Sequence, residues 1–150
     1  MFDNFTDSTK ELIYEAQNTA ITNHNTMIEP VHILNAMAQS PSGVISMLFQ
    51  ELKLNSNLFQ SDIKNLVNNL AKTTDIGNQL YFSKTCLKLF EDASQKAKEL
   101  KDKFVSPEHL LLALMNIQDN DLKRITEKYQ LNDIKILTAM KNISWVKHLF

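Results

Sequence analysis

Apolar residues recur three and four positions apart in two stretches of this chain, one near its start and one in its second half. The stretches are Leu12, Ile13, Ala16 and Ala20, and Leu89, Phe90, Ala93 and Ala97. This spacing marks one face of an amphipathic helix. A residue that can cap a helix, Thr6 or Ser83, precedes each stretch. The pattern predicts a long helix at both places.

The two stretches belong to a longer internal repeat with a constant offset of 77 positions. Phe5-Thr6 corresponds to Phe82-Ser83, and Pro30 corresponds to Pro107 at the same offset without a gap. Other corresponding residues are Leu12 and Leu89, Ala16 and Ala93, Ala20 and Ala97, His32 and His109, Ala36 and Ala113, and Leu54-Asn55 and Leu131-Asn132. A period of this kind indicates a duplicated structural unit, so both halves should share one architecture.

Each half reads as four helices. Pro30 and Pro107 suit the first position of a second helix, where a missing N–H costs nothing. A third, short helix is expected over about Val44–Glu51 and Leu122–Tyr129, and a fourth begins near Asn55 and Asn132. The predicted fold is all-α: eight helices in two pseudo-twofold halves that pack as one domain, since each half alone is small. The expected boundaries are repeat 1 at about 5–70, a linker at about 72–81, repeat 2 at about 82–143 and a tail at 144–150.

Composition and charge exclude several kinds of function. With 43% hydrophobic and 22% charged residues the chain fits a soluble globular protein. Its two glycines, Gly43 and Gly77, cannot form a phosphate-binding or dinucleotide-binding loop. A net charge of -1 lacks the basic excess that nucleic acid demands. No run of 18 apolar residues and no secretory signal occur, and Cys86 has no partner for a disulfide. We expect no membrane contact and a cytoplasmic location.

The sequence around Pro107, and its counterpart around Pro30, resembles a known family. The segment Asp102–Leu114 reads DKFVSPEHLLLAL, and its earlier counterpart Met27–Leu34 reads MIEPVHIL. Both resemble the double Clp N-terminal repeat, which heads ring-forming Clp unfoldases. These two segments are most similar in sequence to the N-domain of ClpB-type disaggregases. A ClpC-type domain would be expected to have Glu before the histidine in both repeats, whereas here Glu108 has that place in one and Val31 in the other.

The resemblance implies a binding module without catalytic residues, metal or cofactor of its own. Such a module engages apolar segments of unfolded or aggregated polypeptides and passes them to a hexameric ATPase ring, with ATP and magnesium bound only in the ATPase modules of the parent. Adaptor proteins or a co-chaperone are further partners. The substrate-contacting residues that the resemblance implies are Thr6, Phe90, Asp102, Glu108 and Leu110.

Each of these residues also has a structural interpretation. Thr6 can be a helix cap, Glu108 can favourably meet the positive end of a helix dipole, and Asp102 can solvate a loop. Phe90 and Leu110 have the spacing of core residues. For His32 and His109, which stand at equivalent helix starts with no second ligand nearby, capping or core contacts are favoured over metal binding. Cys86 is interpreted as a buried structural thiol.

Other functions stay open at this stage. The domain could belong to a ClpC- or ClpA-type unfoldase of a Clp protease. A free-standing adaptor with the same fold is another possibility, suggested by the apolar tail Ser144–Phe150. An enzyme is the least favoured, because adjacent carboxylates such as Glu91-Asp92 point about 100° apart on a helix and do not converge on a substrate.

Overall fold

The computed structural model describes residues 1–74 and 79–149, and their side chains as far as Ser144. Within that part of the chain lie eight α-helices and no extended strand: α1 (Asp7–Thr22), α2 (Pro30–Gln39), α3 (Gly43–Glu51), α4 (Ser56–Asn68), α5 (Lys84–Glu99), α6 (Pro107–Leu114), α7 (Asn120–Lys128) and α8 (Asp133–Leu149). The predicted all-α fold with eight helices is confirmed. The middle of the predicted linker, residues 75–78, and Phe150 lie outside the described residues.

The 77-residue offset seen in the sequence also relates the helix bounds of the two repeats. Helix α5 has the bounds of α1 shifted by 77 positions, and α7 has those of α3. Helix α7 therefore begins two residues before the predicted Leu122, because the Asp119 side chain caps it by accepting the Leu122 N–H at 3.0 Å. The two repeats are structural duplicates in their first three helices.

Helix α8 is where the repeats diverge. It continues to Leu149, so most of the expected tail at 144–150 is helical and continuous with repeat 2. The sequence between Asn132 and Phe150 contains neither glycine nor proline, and without one of these residues nothing local ends the helix.

The repeats are joined by two short crossings that obey the same symmetry. Phe5 pairs with Val105, and Phe82 pairs with Ile28, each as an isolated parallel bridge. The Thr6 N–H donates to the Val105 carbonyl at 3.0 Å, and the Ser83 N–H donates to the Ile28 carbonyl at 3.0 Å. Each repeat thus fixes the start of the other repeat's first helix.

Helix packing also crosses between the repeats. Within each repeat the first helix packs on the second, while α3 packs on α8 and α4 on α7. One continuous hydrophobic core results. At the α4–α7 contact, Asp62 accepts a hydrogen bond from the Tyr129 hydroxyl at 2.5 Å and pairs with Lys128 at 2.7 Å. The Lys128 and Tyr129 hydrogen bonds hold the pKa of Asp62 below its ordinary value.

Candidate functional site

Thr6 ties the start of α1 to repeat 2. Its Oγ1 accepts the Thr9 N–H at 3.2 Å, so Thr6 is the N-cap of α1 as its structural interpretation predicted. The Thr9 hydroxyl donates to the Val105 carbonyl at 2.9 Å, the same oxygen that receives the Thr6 N–H. The half-exposed Thr6 therefore lies beside the segment that runs from Asp102 to Glu108.

Asp102 is held by a buried histidine and does more than solvate a loop. The Ser106 N–H donates to His109 Nδ1 at 2.8 Å, which leaves the proton of the neutral ring on Nε2. That Nε2 lies 2.8 Å from Asp102 Oδ2. His109 is buried, whereas 52% of the Asp102 side chain is exposed. The histidine fixes one carboxylate oxygen of Asp102 while the residue faces solvent.

Repeat 1 repeats this arrangement with an amide in place of the carboxylate. The Glu29 N–H donates to His32 Nδ1 at 2.9 Å, and His32 Nε2 lies 2.8 Å from Asn25 Oδ1. Burial lowers the pKa of His32 to about 4, with the hydrogen bond from Glu29 acting in the opposite direction. Both histidines make the capping and core contacts that the sequence predicted. Of the two residues that contact a histidine Nε2, only Asp102 of repeat 2 is acidic.

Glu108 lies in the first turn of α6, next to His109. Its Oε1 is buried, and among the described residues it has no hydrogen-bond partner. A buried carboxylate oxygen without a donor is costly, and such atoms in folded proteins call for an explanation. The equivalent residue in repeat 1, Val31, is part of the core. Glu108 is thus an acceptor that the fold itself leaves unsatisfied.

Phe90 and Leu110 do not line a surface groove in this structure. They are only 3% and 0% exposed. Phe90 is enclosed by three other rings, with centroids 5.1 Å away for Phe2, 6.2 Å for Phe5 and 5.1 Å for Phe82. The helical spacing of these apolar residues therefore reflects their place in the core. This corrects the expectation that the Phe90 and Leu110 side chains face a ligand.

An exposed apolar side chain beside the site was missed from the sequence. Phe104 is 50% exposed, although its neighbour Val105 is buried, because successive side chains of an extended segment point to opposite sides. Met27 and Ile28 show the same alternation in repeat 1. The two apolar pairs at the 77-residue offset were visible in the sequence, but the inward and outward directions were not.

The other functional possibilities to be checked are a reactive cysteine, a metal site and a membrane-spanning helix. Cys86 is buried, and burial raises the pKa of its thiol, as expected for a structural cysteine. Across residues 1–74 and 79–149, no group of three or more His, Cys, Asp or Glu side chains is placed to hold a metal ion. No helix in this part of the chain is both long enough and apolar enough to cross a membrane.

Comparison with known proteins places the chain among N-terminal domains. Residues 4–129 match the family model described as Clp repeat (R) N-terminal domain. The chaperone protein ClpB of Rickettsia prowazekii (strain Madrid E) is 32% identical over 143 residues, which covers 94% of this chain and 16% of the relative. The chain therefore spans about a sixth of the length of that relative.

Solved structures share the fold. The Hsp104 N-terminal domain from Candida albicans superposes with a TM-score of 0.80 at 21% identity, covering 91% of this chain and 89% of that one. A complex of the ClpV N-domain with VipB peptide gives a TM-score of 0.66 at 15% identity, covering 83% of this chain and 78% of that one.

Proposed function

The chain belongs to the Clp repeat (R) N-terminal domain family, and from this we propose that it is the substrate-binding N-terminal module of a ClpB-type ATP-dependent disaggregase. In this role it engages exposed apolar segments of unfolded or aggregated proteins. It delivers them to a hexameric ATPase ring, where the parent protein binds ATP and magnesium. The observation that carries the proposal is the match of residues 4–129 to the family, together with the similarity of nearly the whole chain to ClpB chaperones.

The surface around Val105 has the chemistry that this role needs. Phe104 offers an exposed ring for an apolar side chain of the client, and burial of apolar area is the main favourable term in such contacts. Asp102 and Glu108 offer carboxylate oxygens that accept hydrogen bonds from peptide N–H groups or basic side chains. Thr6, beside them, adds a hydroxyl. We define these four residues as the client surface.

Glu108 allows the sharpest test of the client surface. Because Oε1 of Glu108 has no hydrogen-bond partner among the described residues, Glu108→Gln removes the charge without breaking a hydrogen bond at that atom. We expect this variant to bind carboxymethylated α-lactalbumin, a permanently unfolded protein, about tenfold more weakly, because the amide oxygen still accepts a hydrogen bond but lacks the charge that strengthens it. Isothermal titration calorimetry measures the affinity. Phe104→Ala should weaken binding by a similar factor through lost apolar contact.

Matched controls separate the client surface from general surface effects. Glu91→Gln removes an exposed charge on α5, and Tyr14→Ala removes an exposed ring on α1. Both should bind the client as tightly as the unmodified chain. Equal affinities for Glu108→Gln, Phe104→Ala and their controls would rule out the client surface, and absence of binding by the unmodified chain would rule out the proposed function.

A further inference from the structure

The Phe2 side chain lies in a pocket whose walls are three other phenylalanine rings. Its ring centroid is 5.0 Å from that of Phe5, 6.1 Å from that of Phe82 and 5.1 Å from that of Phe90. The contacts with Phe82 and Phe90 are edge-to-face, at interplanar angles of 82° and 89°, a favourable arrangement for aromatic pairs. We call this site the phenyl pocket. The structure itself shows what fits it, a benzyl side chain.

The walls of the phenyl pocket do not depend on Phe2. Phe82 and Phe90 contact each other edge-to-face at 5.1 Å, and Phe5 lies 6.2 Å from Phe90. Phe5 and Phe82 each belong to one of the parallel bridges between the repeats. The third wall, Phe90, is part of α5 and is buried. Removing Phe2 therefore leaves three rings that are supported from other directions.

Residues 1–3, which we call the strap, are attached to the rest of the chain by few contacts. From Asn4 onward the backbone is fixed to repeat 2, because the Val105 N–H donates to the Asn4 carbonyl at 2.8 Å. Before Asn4, the only hydrogen bond within the described part of the chain runs from the Phe5 N–H to the Phe2 carbonyl, at 3.0 Å. Both neighbours of Phe2 in the sequence are exposed. The Phe2 ring is therefore the main attachment of the strap.

Two opposing terms decide how firmly the strap is held. Burial of apolar area of one aromatic ring favours the closed arrangement, whereas fixing the backbone of three residues opposes it by an amount of similar size. Phe2 is only partly buried, so its contribution is below that of a fully buried ring. The closed and the released strap therefore differ little in free energy, and release leaves the helices in place.

The fold does not require an apolar side chain at this position. The equivalent residue 77 positions later is Gln79, which is exposed. The α1 residue that corresponds to Phe90 is Ile13, and it is only 3% exposed although glutamine stands in the place of Phe2. A ring ahead of the first helix is thus not needed to build a repeat.

We propose that the strap is a plug: Phe2 closes the phenyl pocket, and its release opens the pocket to an aromatic side chain of an unfolded client. The pocket adjoins the client surface, because Phe5 directly precedes Thr6. A client that inserts a phenylalanine ring replaces Phe2 without loss of apolar contact. This inference rests on the proposed function, since it takes an unfolded polypeptide as the partner. It adds the segment that controls access and the side chain that is selected.

The tetrapeptide acetyl-Met-Phe-Asp-Asn-amide, a copy of residues 1–4, tests the pocket by NMR. Phe2→Gln, which copies Gln79, should bind it with saturable shifts of the Phe82 and Phe90 ring signals and a dissociation constant of about 1 mM. The unmodified chain should bind it about tenfold more weakly, because its own strap competes at an effective concentration of about 10 mM. The same peptide with glutamine in place of phenylalanine should not bind. Met1→Gln, the same change at an exposed neighbour, should behave like the unmodified chain.

Client binding tests whether the strap controls access. Carboxymethylated α-lactalbumin should bind Phe2→Gln about fivefold more tightly than the unmodified chain in calorimetry, because no plug has to leave first. Met1→Gln should leave the affinity unchanged. Phe2→Leu covers the case in which Phe2→Gln does not fold: its smaller side chain fills the pocket less completely and should give a smaller gain of the same sign.

The outcomes separate the pocket, the strap and the proposed function. Absence of tetrapeptide shifts in folded Phe2→Gln, or equal binding of the phenylalanine and glutamine peptides, would overturn the phenyl pocket. Client affinity that is unchanged or lower in the folded Phe2 variants would overturn the strap as a plug and leave Phe2 as a core residue. If the client binds none of these chains, the proposed function is rejected. If the client binds and the tetrapeptide does not, only the inference is rejected.

Discussion

His32 and His109 occupy the same place in the two repeats and differ in a single partner. Both accept a backbone N–H on Nδ1 and turn Nε2 toward the residue seven positions earlier. That residue is an amide, Asn25, in repeat 1 and a carboxylate, Asp102, in repeat 2. The amide adds no charge at this place in repeat 1, whereas the carboxylate of Asp102 is half exposed in repeat 2.

The lowered pKa of His32 makes stability depend on pH. The folded chain resists protonation until about pH 4, whereas an unfolded histidine takes up a proton near 6.5. Between these values the unfolded state binds more protons, so the free energy of unfolding rises with pH over this window. His32 contributes fully above about pH 6.5, and its contribution falls as the pH drops toward 4.

We expect the effect of His32 on the free energy of unfolding to be measurable by urea unfolding at pH 7.0, 5.5 and 4.5. The free energy of unfolding should fall by about 1–3 kcal/mol toward pH 4 on account of His32. The variant His32→Gln has no such group, so its loss over the same range should be smaller by that amount. Parallel pH curves for the two chains would contradict the assignment.

Four helix ends share one backbone turn that usually calls for glycine. After α1, α3, α5 and α7, residues His24, Lys53, Lys101 and Gln130 have φ between 53° and 60°. The residue that follows each one donates its N–H five positions back, as Asn25 does to Ala20 at 2.9 Å. This is the Schellman ending. A left-handed conformation costs a non-glycine residue about 1–2 kcal/mol, and this chain incurs that cost four times.

Replacing the exposed Lys53 or Gln130 by glycine should therefore stabilise the chain. We expect about 1 kcal/mol for each site, because glycine adopts positive φ without the clash of Cβ. The urea midpoint should rise at unchanged slope. Lys53→Ala is the control, since alanine keeps the clash and should give no gain. Equal stability of the glycine and alanine variants would show that the turn is not strained.

At the scale of the whole molecule, the two repeats depend on each other. Each first helix starts on a bridge to the other repeat, and α3 and α4 pack on α8 and α7. The hydrophobic core is continuous across both halves. Separating the repeats would expose buried residues at all these contacts, and a chain of roughly 70 residues has little core to spare.

Neither half should fold alone. We expect a fragment of residues 1–74 to show poor NMR dispersion and no cooperative thermal transition, and the same for residues 79–150. An equimolar mixture is the informative control, because it restores every contact except the chain connection and should recover helical circular dichroism. A cooperative transition in either isolated fragment would show that the repeats are independent units.

The sequence by itself determined the duplication, the eight helices and most helix starts, although α7 begins two residues before the predicted Leu122. These depend on local signals: apolar spacing, prolines, and caps such as Thr6 and Ser83 that bond to backbone groups three residues away. The interpretation of His32 and His109 as capping and core residues was also accessible, because equivalent placement in a repeat limits their roles.

Only the tertiary structure decided which of the candidate side chains are exposed and which are buried. Phe90 was a predicted site residue and Phe104 was not, yet neighbouring rings enclose Phe90, whereas Phe104 is half exposed. The buried Oε1 of Glu108, which has no hydrogen-bond partner among the described residues, was equally invisible in the sequence. Burial and hydrogen bonding depend on contacts between residues that are distant in sequence. The local pattern of residues does not predict which of these distant residues come into contact.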